Sequence, residues 1–374
     1  MLWGGFYGEE MTQPIHGGNV YKAAQEQQVP VEQIIDFSAS INPLGFSMAG
    51  LRAIRSALKQ IVHYPDPDCR HLRQQLALRC GMDPDMILVG NGSSELIHLL
   101  PRALAIKSAL IIGPTFEEYA SALMGAGSVV HYVHAKRQQR FRPPLQDVLA
   151  RLSAKRSRFD TVFLCNPNNP TGQLMNRQAM CELAEAVERQ QGWLIVDEAF
   201  IDYCPEQSVV PMLKGHPRIV VLRSLTKFYA MPGLRIGYLI GATKVVDLLK
   251  ERQPPWSVNS LAQEASCAVL QDQSYAKKSR VFMENERSRF VRGLRSLPGL
   301  QVYSSAANFV LIGLPAWTNA GEVTDRLASG RLLVRDCSTL PGLTTQMIRV
   351  AIRTSKENHR LLTALGACLK ARQP

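Results

Sequence analysis

The sequence predicts an α/β fold: a large unit on a mostly parallel seven-stranded sheet, followed by a smaller α+β unit. Two observations carry this expectation. Through the middle of the chain, short and almost uninterrupted apolar runs alternate with stretches of helical periodicity, the pattern of a parallel sheet covered on both faces. The last third changes character, with one long charged helix followed by short strands. The expected strands of the large sheet are 86–89, 109–112, 128–133, 161–165, 193–196, 219–222 and 236–240. Helices are expected between most of them, at 94–104, 116–125 and 177–190. The C-terminal unit is read as a helix over 274–297, strands at 301–302, 309–311, 332–335 and 347–351, and a final helix over 357–369. This gives an N-terminal arm (1–48) joining the small domain, a large domain (49–261) and a small C-terminal domain (262–374).

Composition narrows the function. The 374 residues are 46% hydrophobic and 20% charged, ordinary for a globular protein, and no run reaches the length of a membrane helix. The first residues lack the basic flank and apolar stretch of a signal peptide, so a cytoplasmic location is expected. The recognisable pattern starts at His16, which makes Met11 an alternative start. The eight cysteines are scattered, with no C-x-x-C pair and no zinc-ligand spacing, so free thiols and no metal are expected. A net charge of +12 raises nucleic acid as a partner. The basic residues, however, are interleaved with acids and no binding motif accompanies them, so a field that gathers small anions is the better reading.

Four motifs fall at expected carboxyl ends of strands, where ligands of such sheets gather. Val89-Gly90-Asn91-Gly92-Ser93-Ser94-Glu95 offers a close backbone approach and a helix N-terminus, suited to a phosphate. Cys165-Asn166-Pro167-Asn168-Asn169-Pro170-Thr171-Gly172 is a stiff loop able to present Asn169. Leu194-Ile195-Val196-Asp197 closes an apolar strand with a carboxylate able to pair with a pyridinium nitrogen. Ser224-Leu225-Thr226-Lys227, with Arg235 shortly after, places a lysine among hydroxyls and a second cation. Such surroundings lower its pKa and suit a Schiff-base amine. Each motif alone has a plain structural explanation; together and in this order they are specific.

The ordered set resembles the fold-type I enzymes that use pyridoxal phosphate, the aspartate aminotransferase superfamily. The resemblance covers nearly the whole chain. It implies that Lys227 carries the cofactor, Asp197 binds the pyridine nitrogen and Asn169 bonds the 3-hydroxyl. It further implies that Ser224, Arg235, Gly92 and Ser93 hold the cofactor phosphate and that Phe116 stacks on the ring. Tyr64, in His63-Tyr64-Pro65-Asp66, is expected to reach the phosphate of a neighbouring subunit in a homodimer. Phe200 departs from the pattern, standing where aminotransferases often have a tyrosine that also bonds the 3-hydroxyl.

Within the superfamily the chain is similar to the histidinol-phosphate aminotransferases, and more closely to the L-threonine-O-3-phosphate decarboxylases of cobalamin biosynthesis. The carrying residues are His16-Gly17-Gly18-Asn19, the stretch from Asp36 to Gly45, and Ile348-Arg349-Val350-Ala351-Ile352-Arg353. The cofactor labilises whichever bond at the substrate's α carbon stands perpendicular to its ring. A carboxylate held in the plane leads to transamination; a phosphate that takes the arginines leaves the carboxylate free to depart as CO₂. The resemblance implies a small phosphorylated amino acid as substrate, bound by His16, Gly17, Ser40, Asn169, Arg335, Arg349 and Arg353. Ser40 departs from an asparagine usual in the family, which leaves open threonine phosphate against serine phosphate. The rival readings are an aminotransferase of the histidinol-phosphate type and a PLP-binding regulator. The regulator would need a DNA-binding segment before His16, where no room is expected.

Overall fold

A computed structural model describes residues 17–154 and 158–370. Met11 and His16 lie outside the described residues. Strands β1 (Ile35–Asp36), β2 (Ile87–Gly90), β3 (Ser108–Gly113), β4 (Val129–His134), β5 (Thr161–Cys165), β6 (Trp193–Asp197), β7 (Ile219–Ser224) and β8 (Gly237–Ile240) precede a second group. That group is β9 (Gln301–Val302), β10 (Phe309–Gly313), β11 (Leu332–Leu333), β12 (Arg335–Asp336) and β13 (Met347–Ala351). The large sheet has the order β2-β8-β7-β6-β5-β3-β4. The seven strands are mostly parallel, as the apolar runs implied; β8 runs antiparallel to both its neighbours.

The apolar runs are continuous because both faces of the sheet are covered. Alternate residues of a strand point to opposite faces. Leu110, Ile112, Val162, Leu164, Leu194 and Val196 join one core, packed by helices Arg70–Cys80, Arg177–Arg189 and Gln273–Arg295. Ala109, Ile111, Phe163, Ile195 and Val220 join the other, under helices Gly92–Ala103, Glu118–Gly125 and Thr243–Lys250. Strand β4 lies at the edge, and none of its residues is fully buried.

The antiparallel β8 positions the site. No crossover helix separates it from β7; the chain turns back through Lys227 and pairs Ser224 with Gly237. The start of β8 therefore lies at the carboxyl edge of the other strands, and Arg235 arrives beside the end of β2, where Gly90 faces Gly237.

The small sheet has the order β12-β13-β10-β9 and is antiparallel. The expected single strand at 332–335 is split: Leu332–Leu333 pairs in parallel with β1, while Arg335–Asp336 pairs with β13. The chain changes sheets at Val334, which a pattern of alternating residues does not reveal. The N-terminal arm is tied down by the same pairing, and Ala351 donates to the Phe37 carbonyl at 2.8 Å. Among the described residues, no helix is long and apolar enough to cross a membrane, and no group of three or more His, Cys, Asp or Glu is placed to hold a metal.

A buried ion pair joins β6 to β7 at the site edge. Arg223 Nε lies 2.8 Å from Glu198 Oε2, and both side chains are almost wholly out of solvent. Glu198 also accepts from Ser208 Oγ (2.9 Å) and from the Val209 amide (2.7 Å), and Arg223 Nη2 donates to Ser208 Oγ (2.8 Å). Burial pushes the Glu198 carboxyl up, and Arg223 opposes that. Removing one member leaves an unmatched buried charge. Glu198→Ala is expected to cost about 3–5 kcal/mol of stability, read as a shift of the urea midpoint. A loss below about 1 kcal/mol would show the pair to be dispensable.

Candidate active site

The motif loops converge on a single cavity of about 500 Å³. Of the candidates from sequence, Gly17, Ser40, Gly92, Ser93, Phe116, Asn169, Asp197, Ser224, Lys227, Arg235, Arg335 and Arg349 line it. Three do not. His16 lies outside the described residues. Tyr64 is 78% exposed on the surface and stacks on Trp256, 4.6 Å between ring centres. Arg353 is turned away. Its Nε and Nη2 donate to Glu357 Oε1 (3.1 and 2.7 Å), its Nη1 donates to the Asp36 carbonyl (3.2 Å), and its guanidinium lies over the Phe37 ring. Arg353 is therefore a strut between the N-terminal arm and the last helix, and it is not among the residues that line the cavity.

Lys227 sits on the floor of the cavity, partly reached by solvent and otherwise enclosed. Burial, with Arg349 and Arg235 nearby, lowers its pKa to about 8; Asp197 and Asp36 oppose this. Asp197 ends β6, fully buried. Its Oδ2 accepts from Tyr119 Oη at 2.7 Å and its Oδ1 from the Ala199 amide at 2.9 Å. Burial pushes its carboxyl up, while Tyr119, Ala199 and Lys227 hold it down. Tyr119 was not singled out from the sequence. It lies three residues after Phe116, in the first turn of the helix Glu118–Gly125, packed edge-on to Phe116 and stacked on Phe163. A hydroxyl on an apolar helix face next to a strand's carboxyl end was the available signal.

The Asn166–Gly172 loop holds itself in place. Asn166 Oδ1 accepts from the Met175 amide (2.8 Å), and Asn168 is bonded to Thr115, Thr171 and the Pro114 carbonyl. Asn169 is thereby left to the cavity, where its Oδ1 accepts from Arg349 Nη1. Arg349 also donates through Nη2 to the Ser38 carbonyl and lies over the Phe309 ring. Its Nε is buried without a partner. Phe200 packs edge-on against Phe309. The Ser40 hydroxyl lines the cavity, buried and without a hydrogen-bond partner. Gly17 comes to the same wall because the Gly18 amide donates to Ser38 Oγ at 2.8 Å.

At the opposite end Ser93, Ser94, Ser224, Thr226 and Arg235 gather at the N-terminus of the helix Gly92–Ala103. The helix has no side-chain cap from Asn91. A Cβ at Gly92 would lie 2.8 Å from Arg235 Nη2, and one at Gly237 only 2.4 Å from the Ser93 amide nitrogen. Only glycine lets these three segments approach. A helix N-terminus, hydroxyls and a guanidinium form a donor set for a phosphate dianion. With Lys227 and Asp197 beyond it, the arrangement fits pyridoxal phosphate end to end.

A family model described as aminotransferase class I and II matches residues 32–365. Threonine-phosphate decarboxylase of Salmonella typhimurium is 39% identical over 361 residues, covering 96% of this chain and 98% of that protein. The solved histidinol-phosphate aminotransferase of Clostridium acetobutylicum superposes with a TM-score of 0.84 at 30% identity, covering 90% of this chain and 99% of its own. The L-threonine-O-3-phosphate decarboxylase of Porphyromonas gingivalis superposes with a TM-score of 0.79 at 28% identity, covering 89% and 99%. The family model and these relatives, matched over nearly the whole chain, show that the chain belongs to the class I and II aminotransferase family, whose members depend on pyridoxal phosphate.

Proposed function

We propose that this chain decarboxylates O-phospho-L-threonine to (R)-1-aminopropan-2-yl phosphate and CO₂, for the aminopropanol arm of cobalamin biosynthesis. The observation that carries this reading is the register that sets Arg335 opposite Arg349 on adjacent strands, with both lining the cavity that holds Lys227. Like charges so placed repel each other. A dianionic group held between them relieves that repulsion, and a phosphorylated amino acid brings such a phosphate in addition to its carboxylate. The names of the Salmonella and Porphyromonas relatives point the same way. The eight cysteines, all free thiols, suit a reducing compartment such as the cytoplasm.

Pyridoxal phosphate, when bound, supplies an electron sink for the bonds at the substrate's α carbon. Lys227 is the amine that holds it, and a pKa near 8 leaves a useful fraction neutral near pH 7. Asp197, oriented by Tyr119 and the Ala199 amide, would accept from the ring nitrogen. Ser93, Ser224, Arg235 and the backbone at Gly92 would hold the cofactor's phosphate, with Phe116 on the same cavity wall available to the ring. Asn169, its Oδ1 already engaged by Arg349, would offer its Nδ2 donors to the 3-oxygen, where Phe200 has no hydroxyl to offer. On the substrate side, Arg335 and Arg349 hold the phosphate, with Gly17 and the Ser40 hydroxyl on the same wall. Charge-assisted bonds to a dianion are the stronger ones, so the phosphate outcompetes the carboxylate for the arginines. The carboxylate is left as the departing group.

The reading is tested by CO₂ release from threonine phosphate, serine phosphate and plain threonine, with keto-acid formation followed in parallel. Threonine phosphate should release CO₂ and plain threonine almost none, because remote binding energy orients the reacting bond. Arg349→Gln should lose on the order of 2–5 kcal/mol of transition-state stabilisation. Transamination of histidinol phosphate, with no CO₂ from either phosphoamino acid, overturns the reading. Preference for serine phosphate would keep the reaction and direct attention to Ser40.

Cofactor loading of the apoprotein should follow the neutral fraction of Lys227. The rate is expected to rise about tenfold per pH unit below the pKa and to level off above about 8. An unshifted lysine would keep rising beyond pH 10 or so. Borohydride reduction followed by peptide mapping should place the adduct on Lys227; an adduct elsewhere removes this assignment.

A homodimer completes the site in this reading. Leu58, Ile61, Val62, Tyr64 and Trp256 are exposed apolar side chains on neighbouring stretches, a surface that calls for cover. Tyr64 of the partner subunit would reach the cofactor phosphate. Sedimentation should give a dimer, and Tyr64→Phe should weaken cofactor retention without dissociating it. A fully active monomer at assay concentration ends the idea.

A further inference from the structure

We infer that Glu117 is the resting counter-ion of Arg335, and that a phosphate ligand enters by exchanging places with this carboxylate. The inference rests on the phosphorylated-substrate reading and adds a residue to it. Arg335 Nη2 lies 3.5 Å from Glu117 Oε2, with only 11% and 23% of the two side chains exposed. Both line the cavity. The pair spans it, because Arg335 belongs to β12 of the small sheet while Glu117 follows β3 of the large one.

Three observations separate this pair from an ordinary surface contact. Glu117 occupies the N-cap position of the helix Glu118–Gly125, yet its side chain makes no cap hydrogen bond. N-cap carboxylates usually bond the exposed helix amides; this one lies against a guanidinium across the cavity. The acid next to Arg335, Asp336, is committed to its own turn, accepting from the Ser338 amide at 2.7 Å. Glu118, beside Glu117, is held by His98 at 2.8 Å. Glu117 is therefore the carboxylate positioned to neutralise Arg335, whose cross-strand neighbour is the buried Arg349. A dianionic phosphate makes stronger charge-assisted bonds to a guanidinium than a single carboxylate does. An amino acid without a second anion leaves the Glu117–Arg335 pair in place, so Glu117 acts as a specificity residue.

The test uses the holoenzyme and inorganic phosphate as probe, with affinity read by titration calorimetry and by perturbation of the cofactor's visible band. Glu117→Gln and Glu117→Ala should each bind phosphate roughly fivefold more tightly, the scale of about 1 kcal/mol for a partly exposed pair. Arg335→Gln should bind it weakly, and adding Glu117→Gln to Arg335→Gln should bring no further gain. Equal or weaker phosphate binding in both Glu117 variants overturns the exchange. So does a gain that persists in the Arg335→Gln background, since that is only the loss of a negative charge. Failure of wild type to bind phosphate at all overturns it too. These readings are independent of CO₂ release. Tighter phosphate binding without any decarboxylation would keep the exchange and remove the decarboxylase reading, while decarboxylation with unchanged phosphate affinity would do the reverse.

Discussion

Two guanidinium groups set side by side constrain everything around this cavity. Arg335 and Arg349 are directly opposed on adjacent antiparallel strands, and the second is almost wholly buried. Burial and its neighbour's charge push the Arg349 pKa down. The protein surrounds it with oxygen acceptors, the Ser38 carbonyl and Asn169 Oδ1, and with the face of Phe309. Burial, with Arg349 and Arg235, lowers the Lys227 pKa as well. One arrangement therefore prepares the amine to react and makes the cavity receptive to anions.

The sheet explains why so few elements suffice. Lys227, Ser224 and Arg235 come from one uncrossed return between β7 and β8, and Asp197 from the strand beside it. The Glu198–Arg223 pair sits one residue from Asp197 on one strand and one residue from Ser224 on the other. Its burial costs desolvation, and its return is a fixed spacing between the two strand ends that line the cavity. Buried ion pairs are weak evidence for stability and better evidence for positional definition. Tyr119 extends the same logic by occupying one oxygen of Asp197.

Most of this was legible in the sequence, for an identifiable reason. Strand runs and motif loops are local, and the motifs stood at strand ends, where ligands of such sheets gather. What was missed depends on contacts between distant segments. Tyr119 and Glu117 follow Phe116 in sequence, but their partners are 78 and 218 residues away. The position of Arg353 away from the cavity also had a local signal. Arg349, Ala351 and Arg353 would share a face only if the strand continued, and β13 ends at Ala351. Beyond it Thr354 and Glu357 form a reciprocal helix cap, with the Thr354 amide donating to Glu357 at 3.1 Å. A Thr-x-x-Glu signature announces such a cap from sequence alone, and it brings the carboxylate that captures Arg353.

Transamination and decarboxylation are both represented among proteins similar to this chain. The fold therefore does not select the reaction, and neither does the lysine, the buried carboxylate or the phosphate site, since the fold supplies all three to either chemistry. On the proposed reading, selection comes from how the cavity lining distributes the substrate's charges. That lining includes Ser40, Arg335 and Arg349, with Glu117 at its rim and Phe200 in place of a hydroxyl-bearing side chain. A cavity that concentrates positive charge there favours the ligand with the denser anion at its far end. The denser anion then occupies the arginines, and the weaker one, the carboxylate, is left without them. The chemical outcome thus becomes a consequence of which of two anions wins a competition for guanidinium groups, a quantity set by charge and burial and not by the backbone.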